Sequence, residues 1–81
     1  MARIIDGDRK NLIGDGVKKR REALKMSQRT LSERLELLGV YVCRGSVSRI
    51  EDYSRTVTDI ELFAIAKVLN VSVDELYTEK E

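Results

Sequence analysis

Histidine and proline are absent from this chain of 81 residues, and cysteine occurs once. Without histidine there is no Cys/His cluster to hold a structural zinc ion, and a lone Cys43 closes no intrachain disulfide. Histidine is also the commonest general base, and nothing replaces it here as part of a nucleophile–base pair. The Gly14-Asp15-Gly16 pair lacks the remaining residues of either nucleotide-binding fingerprint. Glu51 and Asp52 are adjacent carboxylates, but helical neighbours point about 100° apart. These absences argue against an enzyme, a metal site, a cofactor or a small-molecule ligand. The first residues, Met1 to Asp6, lack the apolar run of a secretory signal, and no stretch approaches the roughly 20 apolar residues of a membrane span. A reducing cytoplasm and no membrane partner are expected.

What is present suffices for a fold in water. Apolar residues make up 42% and charged residues 36% of the chain, too hydrophobic for disorder and too charged for a membrane. The length fits one domain over 1–81, with a core over about 11–77 and an N-terminal arm over 1–10. A core this small leaves burial for a second subunit to add, so a homodimer is expected. The net charge is only +1, but its distribution is uneven. Arg9 to Arg55 holds twelve Lys/Arg against six Asp/Glu, a balance of +6, whereas Thr56 to Glu81 carries −4 and the first eight residues −1. A basic body with an acidic tail end is compatible with a polyanion on one face.

With no proline, helix ends must be set by caps. Ile13, Val17 and Leu24 recur at helical spacing and predict a first helix over about Asn11 to Lys25. The run Lys18-Lys19-Arg20-Arg21 spreads over all faces of that helix and reads mostly as solvated surface. Ser27 is a good N-cap for a second helix carrying Leu31, Leu35 and Leu38 and closed by Gly39. Val40 to Val42 is β-branched but has no partner strand, so it reads as loop. A short third helix follows over about Gly45 to Tyr53, with Val47 and Ile50 inward. Thr58-Asp59-Ile60-Glu61 and Ser72-Val73-Asp74-Glu75 are capping boxes. The first opens a helix with Leu62, Ile65, Ala66 and Leu69 on its inner face, and the second opens a single turn ending near Leu76-Tyr77. The prediction is an all-α bundle of five helices with no strand.

Ser27-Gln28, Leu31-Ser32, Val47-Ser48-Arg49-Ile50-Glu51 and Leu62, Ile65-Ala66, Leu69, Val71 and Leu76 together resemble the phage-repressor-like, Cro/C1 or xenobiotic-response-element family of helix-turn-helix proteins. The resemblance spans about residues 13 to 77. It implies a compact lambda-repressor-like bundle whose helices two and three form the helix-turn-helix, the third lying in the major groove of double-stranded DNA. The segment between Gln28 and Val47 is about five residues longer than the common short-turn form, which marks a long-turn branch.

On this resemblance Arg44, Gly45, Ser46, Ser48 and Arg49 face the bases, with Arg44 and Arg49 the best candidates for paired hydrogen bonds to guanine. Gln28 and Arg29 at the start of helix two, and Tyr53, Arg55 and Thr56 after helix three, are expected on the phosphates. Ser32 lets helices two and three cross closely. Arg21 and Glu51 form a structural ion pair tying helix one to the recognition helix. Cys43 is expected to pack under the loop rather than to act as a redox switch. Val73, Leu76 and Tyr77 are the candidate dimer surface, and the operator is an inverted repeat. The alternative on the same fold is a protein-interaction module or an antitoxin-like protein, which an apolar or acidic outer face on helix three would favour.

Overall fold

Asn11 starts the first helix from outside it. In the computed structural model, which describes residues 7–77, the Asn11 Oδ1 accepts hydrogen bonds from the backbone N–H of Ile13 and Gly14 at 3.0 and 2.9 Å. The helix, α1, therefore runs Gly14–Ala23 rather than from Asn11. It stops short of Lys25 because that residue takes a left-handed φ of 56° and turns the chain. Leu24 is thereby left 51% exposed, and the buried stripe of α1 is Ile13, Val17 and Arg21.

Ser27 caps α2, Gln28–Leu37, its side chain accepting from the Thr30 N–H as expected. Gly39 ends it with φ 82°, a conformation that favours glycine, and the Val40 N–H returns to the Leu35 carbonyl. Leu38, expected on the buried stripe, lies past the last turn and is 54% exposed. The connection then dips inward at Val42, which is buried, and α3 follows over Arg44–Glu51. This helix begins one residue earlier and ends two residues sooner than the pattern implies, because Tyr53 adopts φ 68° and leaves helical geometry.

Thr58 and Ser72 both make the expected capping boxes. Thr58 opens α4, Asp59–Leu69, which closes on left-handed Asn70. Ser72 opens Val73–Leu76, which is a 3₁₀ turn. Four residues are too few for a turn of α-helix with its own ladder, so the described residues hold four α-helices and a 3₁₀ turn in place of five helices, with no strand. Of the arm expected over 1–10, residues 1–6 lie outside the described residues.

The core is built from Val17, Leu31, Leu35, Val47, Ile50, Ile65, Leu69 and Leu76, all buried. Leu76 is fully enclosed, which removes it from any outer dimer surface. Two glycines on α1 allow this closeness. A Cβ at Gly16 would collide with the Leu76 carbonyl, and one at Gly14 would stand 2.5 Å from the Ile50 carbonyl oxygen. The Gly14-Asp15-Gly16 pair thus serves helix packing: α1 lies against the end of α3 on one side and the 3₁₀ turn on the other.

Candidate nucleic-acid interface

The amphipathic pattern of α3 separates cleanly in space. Val47 and Ile50 are buried, while Arg44, Gly45, Ser48 and Arg49 are exposed and Ser46 is half-buried. The outer surface is therefore basic and small, with no large apolar side chain. Arg49 donates from Nη2 to the Ser46 hydroxyl at 3.3 Å, and the Cys43 thiol donates to the same oxygen at 3.4 Å. Cys43 is the N-cap of α3 and is exposed, not packed under the loop, because Val42 takes the inward position. The Ser46 hydroxyl, the Gly45 and Ser46 amides and the nearby Arg49 charge hold its thiol below the usual range, the Ser46 side-chain bond most of all.

The orientation of α3 is fixed at its far end. Arg21 Nε and Nη2 donate to the two oxygens of Glu51 at 2.7 and 3.0 Å, and Nη1 donates to the Met26 carbonyl at 2.7 Å. Both side chains are almost fully covered, 10% exposed for Arg21 and 5% for Glu51. Hydrogen bonding to Glu51 holds the Arg21 guanidinium above its ordinary pKa against the opposing effect of burial. A charged pair this buried is tolerable because each polar atom is satisfied; no buried side-chain nitrogen or oxygen among the described residues lacks a partner. The expected ion pair is thus formed, and it gains a third member: Gln28 Nε2 donates to Glu51 Oε1 at 3.0 Å. An amide nitrogen carries two N–H groups, so this bond leaves Gln28 a second donor at the start of α2. Arg29, the next residue, is exposed and stands 3.7 Å from Glu33 on the same helix.

The segment after α3 is braced against the rest of the bundle. The Tyr53 hydroxyl accepts from the Asp15 N–H at 3.1 Å, its carbonyl accepts from the Lys10 N–H at 2.9 Å, and the Arg9 guanidinium lies 4.4 Å from its ring centroid. Arg55 makes a fork to Glu61, at 3.0 and 2.8 Å, and a further bond to the Thr56 carbonyl. Glu61 is the residue that completes the capping box of α4, so one carboxylate joins the Arg55 loop to the next helix. Thr56 is exposed. Of the basic run on α1, Lys18, Lys19 and Arg20 are exposed, Lys19 pairing with Asp15 and Arg20 with Glu75, while Arg21 alone turns inward.

Sequence reasoning missed Asn11. Besides starting α1, its Nδ2 donates to the Ile50 and Arg55 carbonyls at 3.0 and 2.9 Å, so one side chain joins the entry to α1, the end of α3 and the loop beyond. An Asn two residues before an apolar stripe signals a cap, but partners 39 and 44 residues away leave no local trace. The stacking of Arg9 on Tyr53 likewise has none.

A family model described as Helix-turn-helix matches residues 17–76. Among solved structures, the chain is similar to the restriction-modification controller protein C.AhdI from Aeromonas hydrophila, with a TM-score of 0.70 and 26% identity over 80% of this chain and 91% of that one. It is also similar to hydroxypropylphosphonic acid epoxidase from S. wedmorenis, with a TM-score of 0.71 and 26% identity over 89% of this chain. That likeness covers only 36% of the epoxidase, so this chain spans about a third of that enzyme's length. No curated protein matches the chain.

Proposed function

From its membership of the Cro/C1-type helix-turn-helix family of DNA-binding transcriptional regulators, we propose that this chain binds double-stranded DNA sequence-specifically, with α3 in the major groove. The observation that carries the reading is the outer face of α3. Its exposed residues are two arginines, a serine and a glycine, and its opposite face is locked into the core. An apolar or acidic outer face would have suited a protein partner better. Arg44 and Arg49 are the base readers, each able to give about 1–3 kcal/mol of discrimination through two hydrogen bonds to a guanine. Gly45, Ser46 and Ser48 complete the groove-facing surface.

Gln28 and Arg29 take the phosphates at the start of α2, where the helix N-terminus adds partial positive charge. Tyr53, Arg55 and Thr56 take those beyond α3. Because Tyr53 and Arg55 are already held by Asp15, Lys10 and Glu61, they would contact the backbone as a prearranged surface. The chain acts as a homodimer without enzymatic activity, on an inverted repeat whose half-sites lie about one helical turn, roughly 34 Å, apart.

The test is selection of binding sites from random duplexes, followed by titration of the selected site with wild type, Arg44→Ala and Arg49→Ala at several salt concentrations. The expected result is a palindromic site, steep salt dependence, and relaxed preference at one base position in at least one variant. Failure to enrich any site, with weak residual binding indifferent to both substitutions, would overturn the proposal.

A further inference from the structure

Tyr53 occupies a position that favours glycine. Its φ of 68° lies in the left-handed region, where a bulky side chain is strained and glycine is not. Such strain persists only where the surroundings hold the residue in place, and here all four of its groups are engaged. The N–H donates to the Ile50 carbonyl, the hydroxyl accepts from the Asp15 N–H, the carbonyl accepts from the Lys10 N–H at 2.9 Å, and the Arg9 guanidinium lies 4.4 Å from the ring centroid. Two of these contacts fasten residues 9 and 10, and Asn11 adds a third by donating from Nδ2 to the Arg55 carbonyl at 2.9 Å. The residues ahead of α1 are thereby laid along the loop that leaves α3. This places two cations beside Arg55 and Thr56. Lys10 is exposed although its backbone is pinned, and it lines a cleft with Thr56, Val57 and Leu62. Carboxylates on the adjoining elements are already engaged, Asp15 by Lys19, Asp52 by the Ser54 N–H and hydroxyl, and Glu61 by Arg55. Among the described residues Lys10 meets no carboxylate at ion-pair distance.

We propose that Arg9 and Lys10 form a second grip on the DNA backbone, continuous with Arg55 and Thr56, and that Tyr53 is the positioning residue that holds it there. The inference rests on the double-stranded DNA reading above and extends its phosphate surface beyond the helix-turn-helix to the segment ahead of α1. A cation on a fixed stretch of backbone, beside a threonine hydroxyl and a second cation, suits a phosphate oxygen. The strain at residue 53 then has a use, since glycine there would relax the loop and release the two cations from it. Phosphate contacts of this kind set the register of a protein on the duplex without reading bases. They therefore act alike on a selected site and on any other sequence.

The test titrates the full chain against the selected site and against a duplex of random sequence over a range of salt concentrations. Each cation that leaves a phosphate should lower the slope of log K against log salt by about 0.9, equivalent to roughly eightfold weaker binding at about 0.1 M salt. Arg9→Gln and Lys10→Gln should each show that loss on both duplexes, with base preference unchanged. Lys67→Gln removes the same charge from α4, where the lysine lies 5.3 Å from the Phe63 ring centroid, and should leave the slope as it is. In a Tyr53→Gly background, where the ring and hydroxyl are gone, the Arg9 and Lys10 substitutions should lose most of their effect. Lys10→Gln keeps its backbone bond to Tyr53, so the test stands even if Arg9→Gln loosens the loop. An unchanged slope in either variant, on a site that wild type does select, would overturn this proposal and leave the DNA reading standing. A slope that falls equally in Lys67→Gln would assign the effect to net charge and overturn it too. If no site is enriched but binding to random duplex still loses slope in both variants, the grip stands and sequence-specific recognition fails.

Discussion

Replacing Arg21 by alanine removes three hydrogen bonds at once, two to Glu51 and one to the Met26 carbonyl. The larger consequence falls on the residue left behind. The Glu51 side chain is 5% exposed and would keep a single donor, Gln28 Nε2 at 3.0 Å. Stripping one partner from a buried pair typically costs about 3–5 kcal/mol; the surviving Gln28 bond places this case at the lower end, near about 3 kcal/mol. A domain of this length has a total stability of roughly 4–12 kcal/mol, so the loss is a large fraction of it. At about 4–8 °C per kcal/mol for a domain of this size, the melting temperature should fall by roughly 12–24 °C. Urea titration and calorimetry measure both quantities. The control is Arg21→Met/Glu51→Leu, which removes both charges and keeps apolar volume; it should recover most of the loss, since the cost lies in the stranded carboxylate. Arg21→Lys should fall between, because an ammonium keeps the charge but not the fork. The reasoning fails if Arg21→Ala costs under about 1 kcal/mol. It fails equally if the double variant is no more stable than the single one, because the stranded carboxylate would then not be where the cost lies.

Three further outcomes follow from the same geometry. Gly16→Ala places a methyl group on the Leu76 carbonyl and should cost about 1–3 kcal/mol or more in a urea melt, whereas at Gly45 the nearest atom is the flexible end of Arg49 at 3.6 Å, so Gly45→Ala should melt at or above wild type. Asn11→Ala strands the Ile50 and Arg55 carbonyls and uncaps α1, with an expected loss of about 2 kcal/mol or more and faster amide exchange at Ile13 and Gly14. Arg55, first of all, holds the Glu61 carboxyl below its ordinary 4.5, so Glu61 contributes stability in full above that pH and loses it as pH falls through the lower folded value; Glu61→Gln should flatten the melting temperature against pH within that acid window and leave the rest of the profile parallel to wild type.

Legibility in the sequence followed the range of the interaction. Capping boxes at Thr58 and Ser72, the Ser27 cap and the Gly39 terminator are decided within four residues of chain, and each stands where its pattern puts it. Leu24 and Leu38 lie outside the packed stripe because periodicity reports spacing, not where a helix stops; each is the last residue before a left-handed turn, at Lys25 and Gly39, and already lies past the final helical turn. The Val73–Leu76 turn read as a dimer surface from its apolar residues, yet Leu76 is wholly buried because Gly16 lets it approach α1. A small residue whose use is to admit a distant neighbour looks, locally, like a loop signal. Cys43 failed for a related reason: inward and outward alternate along the extended turn, and Val42 holds the inward place. The Arg21–Glu51 pair, 30 residues apart, became readable only through family resemblance.

The distribution of restraints along α3 has a mechanical consequence. Its last turn is tied three times to the entry and length of α1: the Ile50 carbonyl to Asn11, Glu51 to Arg21, and Tyr53 beyond it to Asp15. Its first turn has only Val47 in the core and the long turn before it, with Cys43 and Arg49 meeting at the Ser46 hydroxyl through long, exposed hydrogen bonds. Restraint thus rises from the exposed end carrying Arg44 to the buried end carrying Glu51. A helix held in this way is oriented by its anchored end while the side chains at its entrance keep their freedom, and local opening should begin there rather than at the ion pair. Amide exchange would show it as faster opening at Val47, whose N–H bonds the Cys43 carbonyl, than at Asp52, whose N–H bonds the Ser48 carbonyl. Equal protection of these two amides would mean that the long turn holds the entrance as firmly as Arg21 holds the exit.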